Sequence, residues 1–161
     1  MTLSELNIFP YYRQTFVSSH SQEEILEKIR EFTKEGISYR ESALSRHEFN
    51  GTVGENSFLI SRIISQPNAF LPLITGNIEG TRTGSSILFI RCEMFYTTKV
   101  LLVLWSVMPL CIFILNLFFT SGYFYALLAL FFGVFNYTIT VANFHRQRRI
   151  SMEVLSKILE K

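Results

Sequence analysis

The chain of 161 residues contains no aspartate, and all of its acidic side chains are glutamates. A catalytic triad with a buried Asp is therefore excluded, as are most hard-cation sites. Cysteine is almost as scarce: Cys92 and Cys111 are the only two, and Cys111 lies inside an apolar block. No disulfide framework or Cys-x-x-Cys site can be built from them, which fits a reducing compartment or indifference to redox. The three histidines, His20, His47 and His145, fall in separate segments without zinc-ligand spacing. Gly51, Gly54, Gly76, Gly80 and Gly84 form neither a dinucleotide fingerprint nor a phosphate loop with its Lys, so they read as turn and bulge glycines. Gly76, inside a strand-like run, could let a ligand or another backbone approach closely.

The largest absence is charge. From Val100 to Phe144, 45 residues pass without an Asp, Glu, Lys, Arg or His, and His145-Arg146-Gln147-Arg148-Arg149 follows at once. A hydrocarbon layer about 30 Å thick takes about 20 apolar residues per helix, so the block is too long for one crossing and suits two. The expected arrangement is a transmembrane hairpin over residues 99–144, with spans at about 99–119 and 123–143 joined by Thr120-Ser121-Gly122. Lys99 precedes it and the arginines follow, so both flanks are basic and both termini are expected on the cytoplasmic side of the cell (inner) membrane. Tyr96, Tyr123 and Tyr125 suit the two interfaces. The first residues, Met1 to Leu6, have neither a basic nor an apolar run. They are not expected to act as a secretory signal, so residues 1–98 stay on the side where they were made.

The basic excess is local. Residues 1–99 carry ten Lys/Arg against eleven Glu, whereas residues 145–161 carry five against two. That balance lacks the broad basic face of a nucleic-acid binder. It places the expected partners at the membrane edge, where Lys99, His145, Arg146, Arg148 and Arg149 form an interfacial cluster able to attract anionic headgroups, at about 1 kcal/mol per Lys or Arg. A specific lipid site for Arg146, Arg148 and Arg149 would need help from Lys99 and Arg91 on the other flank.

Residues 1–98 read as one small α+β domain. Pro10-Tyr11-Tyr12 bars a helix, and Thr15 to Ser18 favour a short strand through β-branching. Ser21-Gln22-Glu23-Glu24 is a capping box followed by Ile25, Leu26, Ile29 and Phe32 at helical spacing, which predicts an amphipathic helix over 21–35 ending at Gly36. From Phe49 the period changes to two. Phe49, Gly51 and Val53, then Phe58, Ile60, Arg62 and Ile64, predict a β-hairpin around Gly54-Glu55-Asn56. After Gln66-Pro67-Asn68, the runs Leu73 to Ile78 and Ser86 to Met94 add two further strands. The expectation is a small antiparallel sheet of four to five strands with one N-terminal helix. A C-terminal amphipathic helix, with Ile150, Val154, Leu155, Ile158 and Leu159 on one stripe, returns to cover it across residues 145–161.

The element order is similar to a helix-grip arrangement. At residue level, Phe49-x-Gly51, Ser57-Phe58, Phe70-x-Pro72 and Gly76-x-Ile78, with Ile87 to Met94 leading into the apolar block, resemble small uncharacterised bacterial membrane proteins over residues 49 to 120. The resemblance implies a cytosolic β-rich domain followed by a transmembrane hairpin, and no activity.

His47-Glu48 beside a strand start is the best acid/base pair in the chain, but turn chemistry accounts for it equally. Glu23, Glu24, Glu27 and Glu31 with Lys28 form an ordinary solvated helix face. Within the apolar block, Asn116, Asn136 and Asn143 seek partners, an interhelical hydrogen bond being worth about 0.6 to 2 kcal/mol. Asn116 would help close the hairpin, whereas Asn136 could bond across a subunit interface. With no cofactor motif and no catalytic constellation, the expected function is a membrane-tethered, non-enzymatic binding module. The alternative is an oligomerising membrane effector, for which Asn136, Gly133 and Pro109 speak.

Overall fold

A computed structural model describes residues 9–36, 47–66, 68–81, 84–119 and 123–160. The expectations for the first eight residues, for Pro67 and for the Thr120-Ser121-Gly122 turn lie outside the described residues. The elements run β1 (Tyr11–Ser18), α1 (Gln22–Glu31), β2 (Thr33–Lys34), β3 (Phe49–Val53), β4 (Ser57–Arg62), β5 (Pro72–Gly80), β6 (Ser86–Met94), α2 (Tyr96–Phe119) and α3 (Tyr123–Glu160).

The strands form one six-stranded sheet in the order β1-β6-β5-β4-β3-β2. Two differences from the expected antiparallel sheet have local causes. β1 begins at Tyr11 rather than Thr15 because it pairs with β6 along its whole length, from Tyr11 opposite Glu93 to Ser18 opposite Ser86. At the other edge, α1 ends at Glu31 instead of residue 35. The carbonyl of Phe32 accepts from the backbone N–H groups of Glu48 and Phe49, and Thr33–Lys34 pair in parallel with β3, so the sheet is mixed. Thr33 is β-branched and suits that strand better than a last helical turn. The helix start is as the sequence implies: the Ser21 hydroxyl accepts from the Glu24 N–H, and the Glu24 carboxylate accepts from the Ser21 N–H at 2.9 Å.

One face of the sheet is covered. Leu88, Ile90 and Cys92 of β6, Ile74 and Ile78 of β5, Phe58 and Ile60 of β4 and Phe49 of β3 meet Ile25, Leu26 and Ile29 of α1 and Leu155 and Ile158 of α3 in a single core. The alternate residues, among them Arg13, Phe89, Arg91, Thr75 and Asn77, face the open side. Period-two alternation thus separates an apolar from a mixed face, as expected of a sheet buried on one side.

α2 and α3 are about 36 Å and 57 Å long at 1.5 Å per residue. Both are long and apolar enough to cross a membrane. They pack against each other with Gly133 beside Pro109, and a Cβ at Gly133 would lie 3.3 Å from the proline ring. α3 departs from expectation by being uninterrupted. No Gly or Pro occurs between Gly133 and its last residue, and His145 to Arg149 tolerate helix well, so the apolar segment, the basic cluster and the tail helix are one element. Its junction with the sheet is closed by Phe144, Leu102 and Met94, all buried, with Phe9 and Tyr137 against them.

Candidate functional site

The antiparallel register of β1 and β6 sets Arg13 opposite Arg91 and Tyr11 opposite Glu93, all on the open face. Only Phe95 separates β6 from α2, so the first turn of α2 brings Lys99 back to the end of the strand it has just left. Lys99 Nζ donates to Glu93 Oε2 at 2.8 Å, and Arg91 Nε pairs with the other oxygen of the same carboxylate. The Arg13 guanidinium sits 5.6 Å from the centre of the Tyr11 ring. Pro10, Tyr11, Arg13, Arg91, Glu93 and Lys99 line a cavity of about 200 Å³, open to one side. Among the described residues three cations face one carboxylate, a formal excess of two positive charges. Exposed pairs of this kind add at most about 1 kcal/mol to stability, so the chemical consequence of Glu93 is to fix the two cations in place.

The five residues of the expected interfacial cluster have different surroundings. Lys99 joins the open-face cavity. His145, Arg146 and Arg149 are exposed on α3. Arg148 turns to the covered face, its guanidinium 3.9 Å from the centre of the Tyr12 ring and its Nε buried without a partner among the described residues. Next to it, Gln147 accepts a 2.8 Å hydrogen bond from Arg62. Burial holds the Arg62 guanidinium below its ordinary range, with the Glu48 carboxylate acting in the opposite direction. Arg91 and Lys99 share the Glu93 carboxylate. Arg13 was the missed member: it lies 86 positions before Lys99, and strand alternation shows its face but not its neighbour across the sheet.

The asparagines also divide. Asn116 donates from Nδ2 to the Ile112 carbonyl of its own helix at 2.8 Å. Asn143 is half-buried on α3. Asn136 lines a second cavity of about 200 Å³, together with Thr98, Leu102, Trp105 and Thr140 of the two helices and Phe70 of the β4–β5 loop. That loop is tied down where Thr98 Oγ1 donates to the Ala69 carbonyl at 2.6 Å. No charged side chain lines this cavity, so it suits uncharged matter.

The remaining candidates have structural surroundings. His47 is half-buried at the entrance to β3, while the Glu48 backbone bridges Phe32 and Ile63 and its side chain faces solvent. His20, just before the Ser21 cap, and Glu24 of α1 approach to 3.6 Å, far along the chain from His47. Gly76 does admit close approach, but the visitor is the Phe58 ring, which occupies the space a Cβ would need. Cys92 is buried and its thiol is pushed up to about 11 by desolvation, with the Arg148 charge pulling the other way; Sγ donates to Met152 Sδ at 3.6 Å. Among the described residues no three His, Cys or Glu side chains gather into a metal-binding group. No protein-family model, curated protein or solved structure matches the chain, so its functional reading rests on its own residues.

Proposed function

We propose that the chain is a membrane-tethered, non-enzymatic binding module, with α2 and α3 forming a transmembrane hairpin and the sheet domain held at the cytoplasmic face of the cell membrane. The observation that carries this reading is the surface of the two helices. Leu104, Phe118, Phe124, Leu127 and Phe131 are each 60% exposed or more, while Ala126 and Thr140 are buried between the helices. Large side chains outward and small or polar ones inward is the inverse of a water-soluble helix pair, and lipid is the solvent that stabilises it. Both helices are joined to the domain without slack, α2 through the single residue Phe95 and α3 through its own unbroken backbone. The domain is therefore fixed in height and orientation above the membrane, with Lys99, His145, Arg146 and Arg149 at the level of anionic headgroups.

Two features that speak for an oligomeric effector have neighbours within one chain: Gly133 meets Pro109, and Asn136 lines a cavity with Thr140 of its own helix and Thr98 of α2. The tethered-module reading is favoured on that ground. Flotation and alkaline extraction of membranes test the anchoring; release of the chain by alkali would sink it. Native mass spectrometry of the gently extracted protein tests the rest. A monomer or dimer carrying a small molecule or protein partner is the expected result, and a discrete higher oligomer without partners would transfer the assignment to the membrane effector.

A further inference from the structure

We infer that the open-face cavity between β1, β6 and the first turn of α2 is a binding site for a phosphate-bearing anion, the natural source being the headgroup of an anionic phospholipid. This deepens the tethered-module reading and rests on it for the lipid source. Four observations converge. The cavity, about 200 Å³, has room for a phosphate group. Among the described residues its charged walls are Arg13, Arg91 and Lys99 against the carboxylate of Glu93, so an anion entering it meets a local excess of positive charge. Two of the three cations are already immobilised on that carboxylate, at 2.8 Å for Lys99 and in direct contact for Arg91, which lowers the entropy lost when an anion arrives. Each guanidinium offers several N–H donors, and the fork geometry of arginine matches phosphate oxygens.

Position supplies the ligand class. Lys99 is the last charged residue before the uncharged stretch that begins at Val100, so the cavity lies where the chain enters the bilayer. Tyr96, on the preceding turn of the helix, is 79% exposed and is of the residue type that sits at headgroup depth. The ends of the sheet differ in the same sense. Arg13, Arg62 and Arg91, with Lys99 at the start of α2, outnumber Glu48 and Glu93 at the α2 end of the strands, whereas Glu55 and Glu79 lie at the far end. The domain thus presents its positive end to a surface that carries phosphate.

The test uses the full chain in nanodiscs, with bound anion read by native mass spectrometry and by 31P NMR. One arm has phosphatidylglycerol in a phosphatidylcholine background; the second has phosphatidylcholine alone with inorganic phosphate added to the buffer. Retention of phosphatidylglycerol in the first arm identifies a lipid source, and saturable binding in the second identifies a soluble one. Binding in neither arm overturns the site. Arg13→Gln, which removes an exposed side chain whose recorded contact is an aromatic ring, should keep the fold and weaken binding about fivefold, and Arg13→Gln/Arg91→Gln/Lys99→Gln should abolish it. Arg30→Gln/Lys157→Gln, exposed cations of α1 and α3 outside the cavity lining, should leave the bound anion in place. Equal loss in both sets of variants would show a diffuse surface charge effect and overturn the cavity. A chain that stays in the membrane fraction yet binds no anion sinks the cavity alone, whereas failure to float sinks the anchoring.

Discussion

On the tethered-module reading proposed above, the two halves of α3 are one helix read by two solvents. From Tyr123 to Phe144 the exposed positions are Phe, Leu, Val, Ile, Tyr and Ala with one Thr, and the buried ones are Ala126, Thr140 and the junction residue Phe144. From His145 to Glu160 the exposed positions include Arg146, Arg149 and Glu153, and the buried ones include Leu155 and Ile158. Backbone geometry does not change across the boundary, so it is the surroundings that decide which side chains turn inward. The same rule, burying what the surroundings solvate least, has opposite results on the two sides of Phe144. A helix that obeys both at once has its position along its own axis set to within about a turn.

The strongest way to break the comparison is to make one substitution on each side of it. Phe144→Ala removes a ring with no exposed surface from the Met94–Leu102 junction and should cost about 3 to 5 kcal/mol in thermal or denaturant unfolding followed by circular dichroism. Phe124→Ala, 72% exposed, should shift the same curve by less than about 0.5 kcal/mol. Equal losses would mean that the apolar half is packed against protein rather than lipid.

Cutting the helix at the boundary comes next. Arg146→Pro removes a backbone donor and crowds the preceding turn, for about 3 kcal/mol or more. The sheet domain should lose protection in hydrogen exchange while the chain still fractionates with membranes, because the apolar residues are untouched. Loss of membrane association as well would show that the two halves do not answer to separate solvents.

A smaller effect sharpens the domain side. Gly76→Ala drives a methyl into the Phe58 ring, and the forced repacking should cost about 1 to 3 kcal/mol. If the variant were neutral, the ring would be free to move and the strand would have room for something else. The smallest concerns the α1 cap. Ser21→Ala should cost about 1 kcal/mol. The Glu24 carboxyl is held below its ordinary value of 4.5, first by its backbone hydrogen bond to Ser21, against a desolvation contribution in the other direction. Because the folded value is the lower one, this contribution is present above pH 4.5 and is lost as pH falls below it. Glu24→Gln should therefore remove part of the decline in stability on acidification; an unchanged acid limb would show that the cap does not titrate.

Much of the architecture was legible in the residues because it depends on local order. The capping box at Ser21, the alternation along β6, the turn at Gly54 and the lack of charge from Val100 to Phe144 each concern neighbours within a few positions, where periodicity and solvation act directly. The edge strand Thr33–Lys34 was not legible: two residues have no period, and they become a strand only because β3, beginning at Phe49, lies alongside. Nor was the continuity of α3. A basic cluster reads as a boundary between environments, and nothing in helix geometry requires the chain to bend there.

The candidate site shows the same division. Sequence alone determined that Lys99 closes the charged part of the chain and that His145 and Arg146 open it again, with a gap between them of the length two membrane crossings need. It determined too that Arg91 and Glu93 share one face of a strand, since side chains alternate with period two. Which other strand would lie beside that face was decided only by the tertiary structure. The pairing of β1 with β6 sets Arg13 opposite Arg91, and the one-residue passage into α2 returns Lys99 to Glu93. The pairing turned Arg148 away to stack on Tyr12. Long-range pairing is settled by which apolar faces can be buried together, a property of the whole sheet and its covering helices that no short stretch of residues contains.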